Sequence, residues 1–310
     1  MPPAPAAGYG GAMEAETAPG AGPGRLDPGG AVAAVRAYYE RNTRRFLRWG
    51  RDAGTANLHA ALWPPGTKRL SQAMQAANEL IAREIEDSPV PVGCVLDLGC
   101  GVGASLFYLG RRLPALVSLT GVTLSPSQVR LARRFIPPGA AARFRFAAAD
   151  FTELDPGRFA CDFAFAIEAF AHAPGAPAFF RAAARLLPPG GRLALIDDVL
   201  EERAATGLDP AAAALLDTYR RCWRLPALIA EGAIAQAAAA AGMRRVRRRD
   251  LTPWLRLRRP RDRAIALFVR LAGPRLLGTL YGEMLLGGDA KQRCYRAGLT
   301  AYRLLVFEAS

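Results

Sequence analysis

Two stretches of this 310-residue chain hold the residue types that chemistry uses. The first is Cys94-Val95-Leu96-Asp97-Leu98-Gly99-Cys100-Gly101-Val102-Gly103. An apolar run ends in an acid, and three glycines follow at alternate positions. A strand passing through such a turn into a helix (Ala104 to Arg112) makes a cradle. Glycine accepts positive φ and lets the backbone approach a ligand closely. The helix start presents free N–H groups and the positive end of a dipole. Asp97, at the strand tip, suits a cationic or amino group. The spacing differs from the Gly-x-Gly-x-x-Gly of dinucleotide binders, and it lacks the Gly-Lys-Ser/Thr ending of a phosphate loop. The second stretch is Ile167-Glu168-Ala169-Phe170-Ala171-His172-Ala173-Pro174. A carboxylate and an imidazole close in sequence can move protons or face a cation. The chain has two histidines; the other, His59, lies in a loop with Trp63 that ends at Pro64-Pro65.

The elements needed to position these residues follow from periodicity and turn signals. Residues 1 to about 30 are rich in Pro, Gly and Ala and are expected to form a disordered tail. A helix is expected from about Ala31 past Tyr38-Tyr39 to Trp49, and another from Lys68 to Asp87, so that residues 31–90 form a helical N-terminal cover. Alternating units follow over 91–310. Strands are predicted at Cys94–Leu98, Leu116–Val122, Arg143–Ala147, Asp162–Ile167 and Arg192–Asp197. Ser125-Pro126-Ser127-Gln128 reads as a capping box that opens a helix. A helix is expected over Ala176–Leu187. Helices over 208–223 and 226–241, a strand at Arg244–Asp250, a helical insertion at about 261–298 and a last strand at Ala301–Phe307 complete the chain. The alternation predicts an α/β fold whose strand ends share one ligand-binding edge.

Composition narrows the function classes. The net charge of +14 is almost all arginine, since Lys68 and Lys291 are the only lysines. That excess fits an anionic ligand or solubility alone. The run from Arg244 to Arg263 could clamp a diphosphate or contact RNA phosphates, or could be a solvated strand edge and helix start. The five cysteines form no Cys-x-x-Cys pair, as expected of buried thiols in a reduced, cytoplasmic protein. No apolar run reaches membrane-spanning length, and the N-terminus shows neither a signal nor a transit pattern. No carboxylate cluster predicts a protein-held metal.

The Asp-x-Gly-x-Gly-x-Gly stretch resembles motif I of the class I S-adenosylmethionine (SAM) methyltransferases. The resemblance implies a Rossmann-like α/β fold, with a mainly parallel seven-stranded sheet, helices on both faces, the N-terminal cover and a helical insertion before the last strand. It implies SAM as cofactor, held by Asp97, Gly99, Gly101 and Gly103. In that family an acid after the second strand holds the ribose. Here the place reads Gly121-Val122-Thr123-Leu124-Ser125, so Thr123, Leu124 and Gln128 are the candidates instead. Asp150-Phe151 is similar to the adenine-binding pair, with a helix cap as the lesser alternative for Asp150. The Glu168-to-His172 loop and the Tyr-Tyr helix resemble the sterol and prenyl diphosphate C-methyltransferases. That likeness implies carbon methylation of an isoprenoid-like alkene, first of all a prenyl diphosphate bringing Mg²⁺, with O- or N-methylation as the alternative.

Methylating an alkene leaves a carbocation, which aromatic faces stabilise and a carboxylate deprotonates. Glu168, His172 and Tyr38 are the candidate catalytic residues. Tyr39, Arg44, Arg45, His59, Trp63, Phe170, Tyr219 and Trp223 are the candidate substrate contacts, the aromatic ones having core packing as their alternative. The partner expected is a small molecule rather than nucleic acid, with homo-oligomerisation left open.

Overall fold

The computed structural model describes residue 30 and residues 32–37, 39–40, 56–273 and 279–310. The expected disordered tail, Tyr38, Arg44 and Arg45 lie outside the described residues. In chain order the elements are α1 (Leu70–Glu86), β1 (Cys94–Leu98), α2 (Ala104–Arg112), β2 (Ser118–Thr123), α3 (Pro126–Arg134), β3 (Phe144–Ala148), α4 (Pro156–Phe159), β4 (Phe163–Ile167), α5 (Ala176–Leu186) and β5 (Arg192–Leu200). They continue with α6 (Glu202–Thr206), α7 (Pro210–Trp223), α8 (Glu231–Ala240), β6 (Met243–Asp250), α9 (Pro260–Ala272), α10 (Leu280–Arg296) and β7 (Thr300–Ala309). Residues 32–37 and 39–40 are also helical.

The seven strands form one sheet in the order β3-β2-β1-β4-β5-β7-β6. β1 to β5 run parallel and β7 enters antiparallel between β5 and β6. Successive strand residues point to opposite faces, and two apolar layers result. Val95, Phe163, Phe165, Ala194 and Ile196 pack with α1, α2 and α3 residues such as Ile81, Leu106 and Val129. Leu96, Leu98, Ala164, Ala166 and Leu195 pack with Phe179, Phe180 and Leu186 of α5 and Ile234 of α8. Both faces are therefore covered, as a parallel sheet requires.

Three departures from the predicted elements matter for the site. β2 begins at Ser118 rather than Leu116, because the Leu116 carbonyl is taken by the Arg143 guanidinium at 2.7 Å. β5 runs past Asp197 to Leu200, since β7 pairs along its full length with Asp198 opposite Tyr302. The predicted helix over 226–241 starts only at Glu231, because Ile229 and Ala230 are held against Leu200 at the end of β5. The first part of the arginine run, Arg244 to Arg249, forms β6 at the sheet edge and is largely ion-paired. Arg244 meets Glu308, Arg245 and Arg248 meet Glu231, and Arg247 meets Glu84 and Asp87. It is thus a solvated strand edge, paired with acids of neighbouring elements.

Candidate active site

The carboxyl ends of β1, β2, β4 and β5 open onto a cavity of about 380 Å³. Its cofactor side is the predicted turn. Gly99 (φ 125°) and Gly101 (φ 51°) adopt backbone angles that L side chains rarely reach, and a Cβ on Gly99 would collide with Ala169. Both glycines and Asp97 line the cavity. Asp97 is 3% exposed, and among the described residues no side-chain hydrogen bond or ion pair reaches it. Burial alone raises its pKa well above the ordinary aspartate value. A buried carboxylate on a cavity wall without a cationic partner fits a ligand that brings one, and SAM carries an ammonium on its methionine part. Gly103 does not line the cavity. It caps α2 with φ 85°, and a Cβ there would meet the Phe146 ring at 2.7 Å, so its smallness serves helix-to-strand packing instead.

Thr123, Leu124, Gln128, Asp150 and Phe151 all line the cavity. The capping box is half realised. Ser125 Oγ accepts from the Gln128 backbone N–H, but the Gln128 side chain turns to Thr123, whose hydroxyl donates to Oε1 at 2.6 Å. An acid does reach this strand end, from far upstream: Glu40 accepts from Ser125 Oγ at 2.6 Å and Ser127 N–H at 3.0 Å. Asp150 is both a wall residue and a cap. It lines the cavity, and its Oδ1 accepts from the Thr152 N–H and hydroxyl.

The acceptor side centres on Glu168, a non-glycine residue at φ 49°. Such a backbone is strained and tends to mark functional positions; here it turns the carboxylate into the cavity. Oε1 accepts the Ala60 N–H at 3.0 Å and lies 3.8 Å from Lys291 Nζ. Burial works to raise the Glu168 pKa, but Lys291, His59, the Ala60 N–H and the nearby Tyr302 hydroxyl outweigh it and hold the group below the ordinary glutamate value. Glu168 is therefore ionised.

His172 donates from Nδ1 to the Arg224 carbonyl at 2.9 Å, since a carbonyl can only accept, and its Nε2 accepts from the Tyr39 hydroxyl at 2.9 Å. Arg224 is itself left-handed, at φ 55°. Burial pushes the His172 pKa below the ordinary imidazole value, against the opposing pull of the Arg224 carbonyl and Glu168. The ring is neutral and its Nε2 lone pair points to the Tyr39 side.

Tyr39, His59, Tyr219 and Trp223 line the cavity as expected of substrate contacts. Two expected walls do not. Phe170 is 1% exposed and stacks in the core with Phe179, ring centroids 5.0 Å apart; the turn that exposes Glu168 sends Phe170 inward. Trp63 lies beneath the Arg256 guanidinium, 3.4 Å from the ring centroid, in a segment joined to Trp254 and Leu255. Tyr38, Arg44 and Arg45 lie outside the described residues.

Sequence reasoning missed the floor. Lys291, from α10, lies 2.9 Å from Asp198 Oδ2, and Asp198 also accepts the Tyr219 and Tyr295 hydroxyls. The two acids near it keep Lys291 protonated despite burial. Neighbouring Asp197 accepts the Ala171 and Asp198 N–H groups, and burial next to Asp198 pushes its pKa up to about 8. An Asp-Asp pair at the carboxyl end of a parallel strand was a readable signal; the partnership with one of two lysines was not. Among the described lining residues the acids are Asp97, Asp150, Glu168, Asp197 and Asp198, and the one lysine or arginine is Lys291. No group of three or more metal-ligating side chains occurs among the described residues, and no described helix is long and apolar enough to cross a membrane.

A parallel sheet with a late antiparallel strand, a glycine cradle after β1 and a buried acid facing it define a SAM-binding methyltransferase fold. Comparison with known proteins agrees. Residues 95–191 match the model of a methyltransferase domain. A methyltransferase of Streptomyces halstedii is 33% identical over 167 residues, 53% of this chain and 58% of that relative. An O-methyltransferase of Pyrenophora dematioidea is 27% identical over 216 residues, 68% of this chain and 75% of the relative. The geranyl diphosphate C-methyltransferase of Streptomyces coelicolor, solved with Mg²⁺, geranyl diphosphate and S-adenosyl-L-homocysteine, shares the fold with a TM-score of 0.62 at 17% identity, over 90% of this chain and 98% of that one. Residues 95–191 are therefore a methyltransferase domain, and the chain carries the class I SAM-dependent methyltransferase fold.

Proposed function

We propose that the protein transfers a methyl group from SAM to a carbon of an electron-rich, unsaturated and largely apolar small molecule. SAM, when bound, supplies an electrophilic methyl on a sulfonium. Asp97 would take the cofactor's ammonium, and Thr123, Gln128, Asp150 and Phe151 would contact its nucleoside end. The observation that carries the reading is the Glu168 carboxylate turned into the cavity that Tyr39, Tyr219 and Trp223 also line. A carboxylate held below its ordinary pKa is a weak base, poorly matched to the proton of a hydroxyl. It is well matched to a cation: it stabilises positive charge as that charge develops, and it needs little basicity to take a proton from the carbon next to a carbocation. Tyr39, Tyr219 and Trp223 offer aromatic surface to the same charge.

The acid-rich described lining favours an uncharged acceptor over a prenyl diphosphate. A diphosphate with Mg²⁺, as in the Streptomyces coelicolor enzyme, would have to rely on groups such as Arg44 and Arg45 and on His59. Oxygen methylation is the second reading, favoured by a separate observation: neutral His172 has its Nε2 aimed at a hydroxyl, that of Tyr39, and such an imidazole suits removal of a hydroxyl proton. The name of the Pyrenophora relative points the same way.

The deciding experiment incubates the purified protein with methyl-labelled SAM and a panel of prenyl diphosphates, a sterol, a prenylated hydroquinone and a phenol, and locates the label by mass fragmentation. Label on a carbon skeleton, lost in Glu168→Gln, supports the first reading. Label on oxygen, lost in His172→Ala and kept in Glu168→Gln, replaces it with the second.

A further inference from the structure

The arginines of β6 and those of α9 sit in different surroundings. Those of β6 are mostly neutralised by Glu84, Asp87, Glu231 and Glu308. Those of α9 are arranged otherwise. On a helix of about 3.6 residues per turn, the more buried residues Asp262, Ile265 and Val269 define the packed face of α9. Leu267 and Leu271 fall on the opposite face, where a surface helix ordinarily carries polar groups. They are 59% and 76% exposed, and Phe268 beside them is 49% exposed. Arg263 and Arg270 border this strip on one side and Arg261 on the other. All three are exposed, and Arg263 and Arg270 have no ion-pair partner among the described residues.

We propose that this outer face of α9 docks on an anionic lipid bilayer. Leucine and phenylalanine at the centre with arginine along both margins is the arrangement that lies in a bilayer interface, apolar side chains among the acyl chains and guanidinium groups at the phosphates. A second copy of the chain fits less well. Self-association through this strip would bring arginine margins together between two molecules each carrying +14. The face is also well placed for an apolar substrate: α9 packs on α10, the helix whose Lys291 forms part of the cavity floor.

The test is flotation of the full-length protein with vesicles of phosphatidylcholine alone and of phosphatidylcholine mixed with phosphatidylglycerol. Expected is binding to the mixed vesicles, weakened by salt. Partitioning should fall by about tenfold or more in Leu267→Glu with Leu271→Glu, and likewise in Arg263→Glu with Arg270→Glu. Both double variants should keep the wild-type melting temperature and SAM affinity, which separates lost docking from lost folding. Absence of binding, or equal binding by wild type and variants, overturns the proposal. A dimer in light scattering that the leucine variant dissolves, with no vesicle binding, assigns the face to a second copy instead.

Discussion

The cofactor side and the acceptor side of the cavity are built on different principles. On the cofactor side, Asp97, Gly99 and Gly101 are neighbours in sequence and one βα turn brings them together. On the acceptor side, Tyr39, Ala60, the loop from Glu168 to His172, Tyr219 and Lys291 come from segments far apart and meet through side chains and the Ala60 N–H. The first is a property of local backbone geometry; the second is a property of packing. A substitution in the turn should therefore act on binding alone, whereas one on the acceptor side should act on turnover, pH dependence and specificity.

The largest effect should come from the turn. Gly101→Arg fills the cradle from a position at φ 51°, where a side chain is strained whatever the space. SAM affinity should fall below detection in calorimetry while the sheet still folds; wild-type affinity would remove this turn from the cofactor site. Next is Glu168→Gln, which keeps the shape and removes the charge. SAM affinity should persist while turnover drops by about 10²–10⁴-fold, and equal losses in both would erase the contrast between the two sides.

Lys291→Met sharpens the comparison through pH. In the proposed mechanism activity needs ionised Glu168, so it should be lost as pH falls through the Glu168 pKa. That pKa is held down in part by Lys291, against burial. Without Lys291 burial prevails, and the acid limb of kcat/KM should move to higher pH. Lys291→Arg should restore the wild-type limb. A limb unmoved in Lys291→Met would confine this lysine to a structural role.

The smallest effect belongs to the sheet edge. Arg244→Ala removes an ion pair whose arginine side chain is 71% exposed. It should leave activity unchanged and alter stability by no more than about 1 kcal/mol, as read from denaturant unfolding. A marked fall in activity would give the β6 arginines a task that their geometry does not suggest.

Legibility in the sequence follows the same division. The turn after β1 was readable because glycine at fixed spacing reports backbone conformation directly. Ser125 was readable as a cap for the same reason, and Glu168 and His172 because they share one short loop. The aromatic walls were harder. Tyr219, Trp223, Phe170 and Trp63 look alike as residues, yet Tyr219 and Trp223 line the cavity, Phe170 enters the core and Trp63 lies under an arginine. Nothing local distinguishes them, since direction is set by what packs against each ring.

What the sequence by itself determined is the alternation of strands and helices, the cradle and the pairing of a carboxylate with an imidazole after β4, all of them encoded within windows of a few residues. Only the tertiary structure decided that Lys291 and Asp198 underlie Glu168, that Glu40 reaches the end of β2 and that acids of neighbouring elements pair with the arginines of β6. Several of those contacts join residues far apart in the chain, as with Lys291 and Asp198 or Arg247 and Glu84. Their charge states depend on burial and on the partners that the fold supplies, neither of which a linear pattern contains.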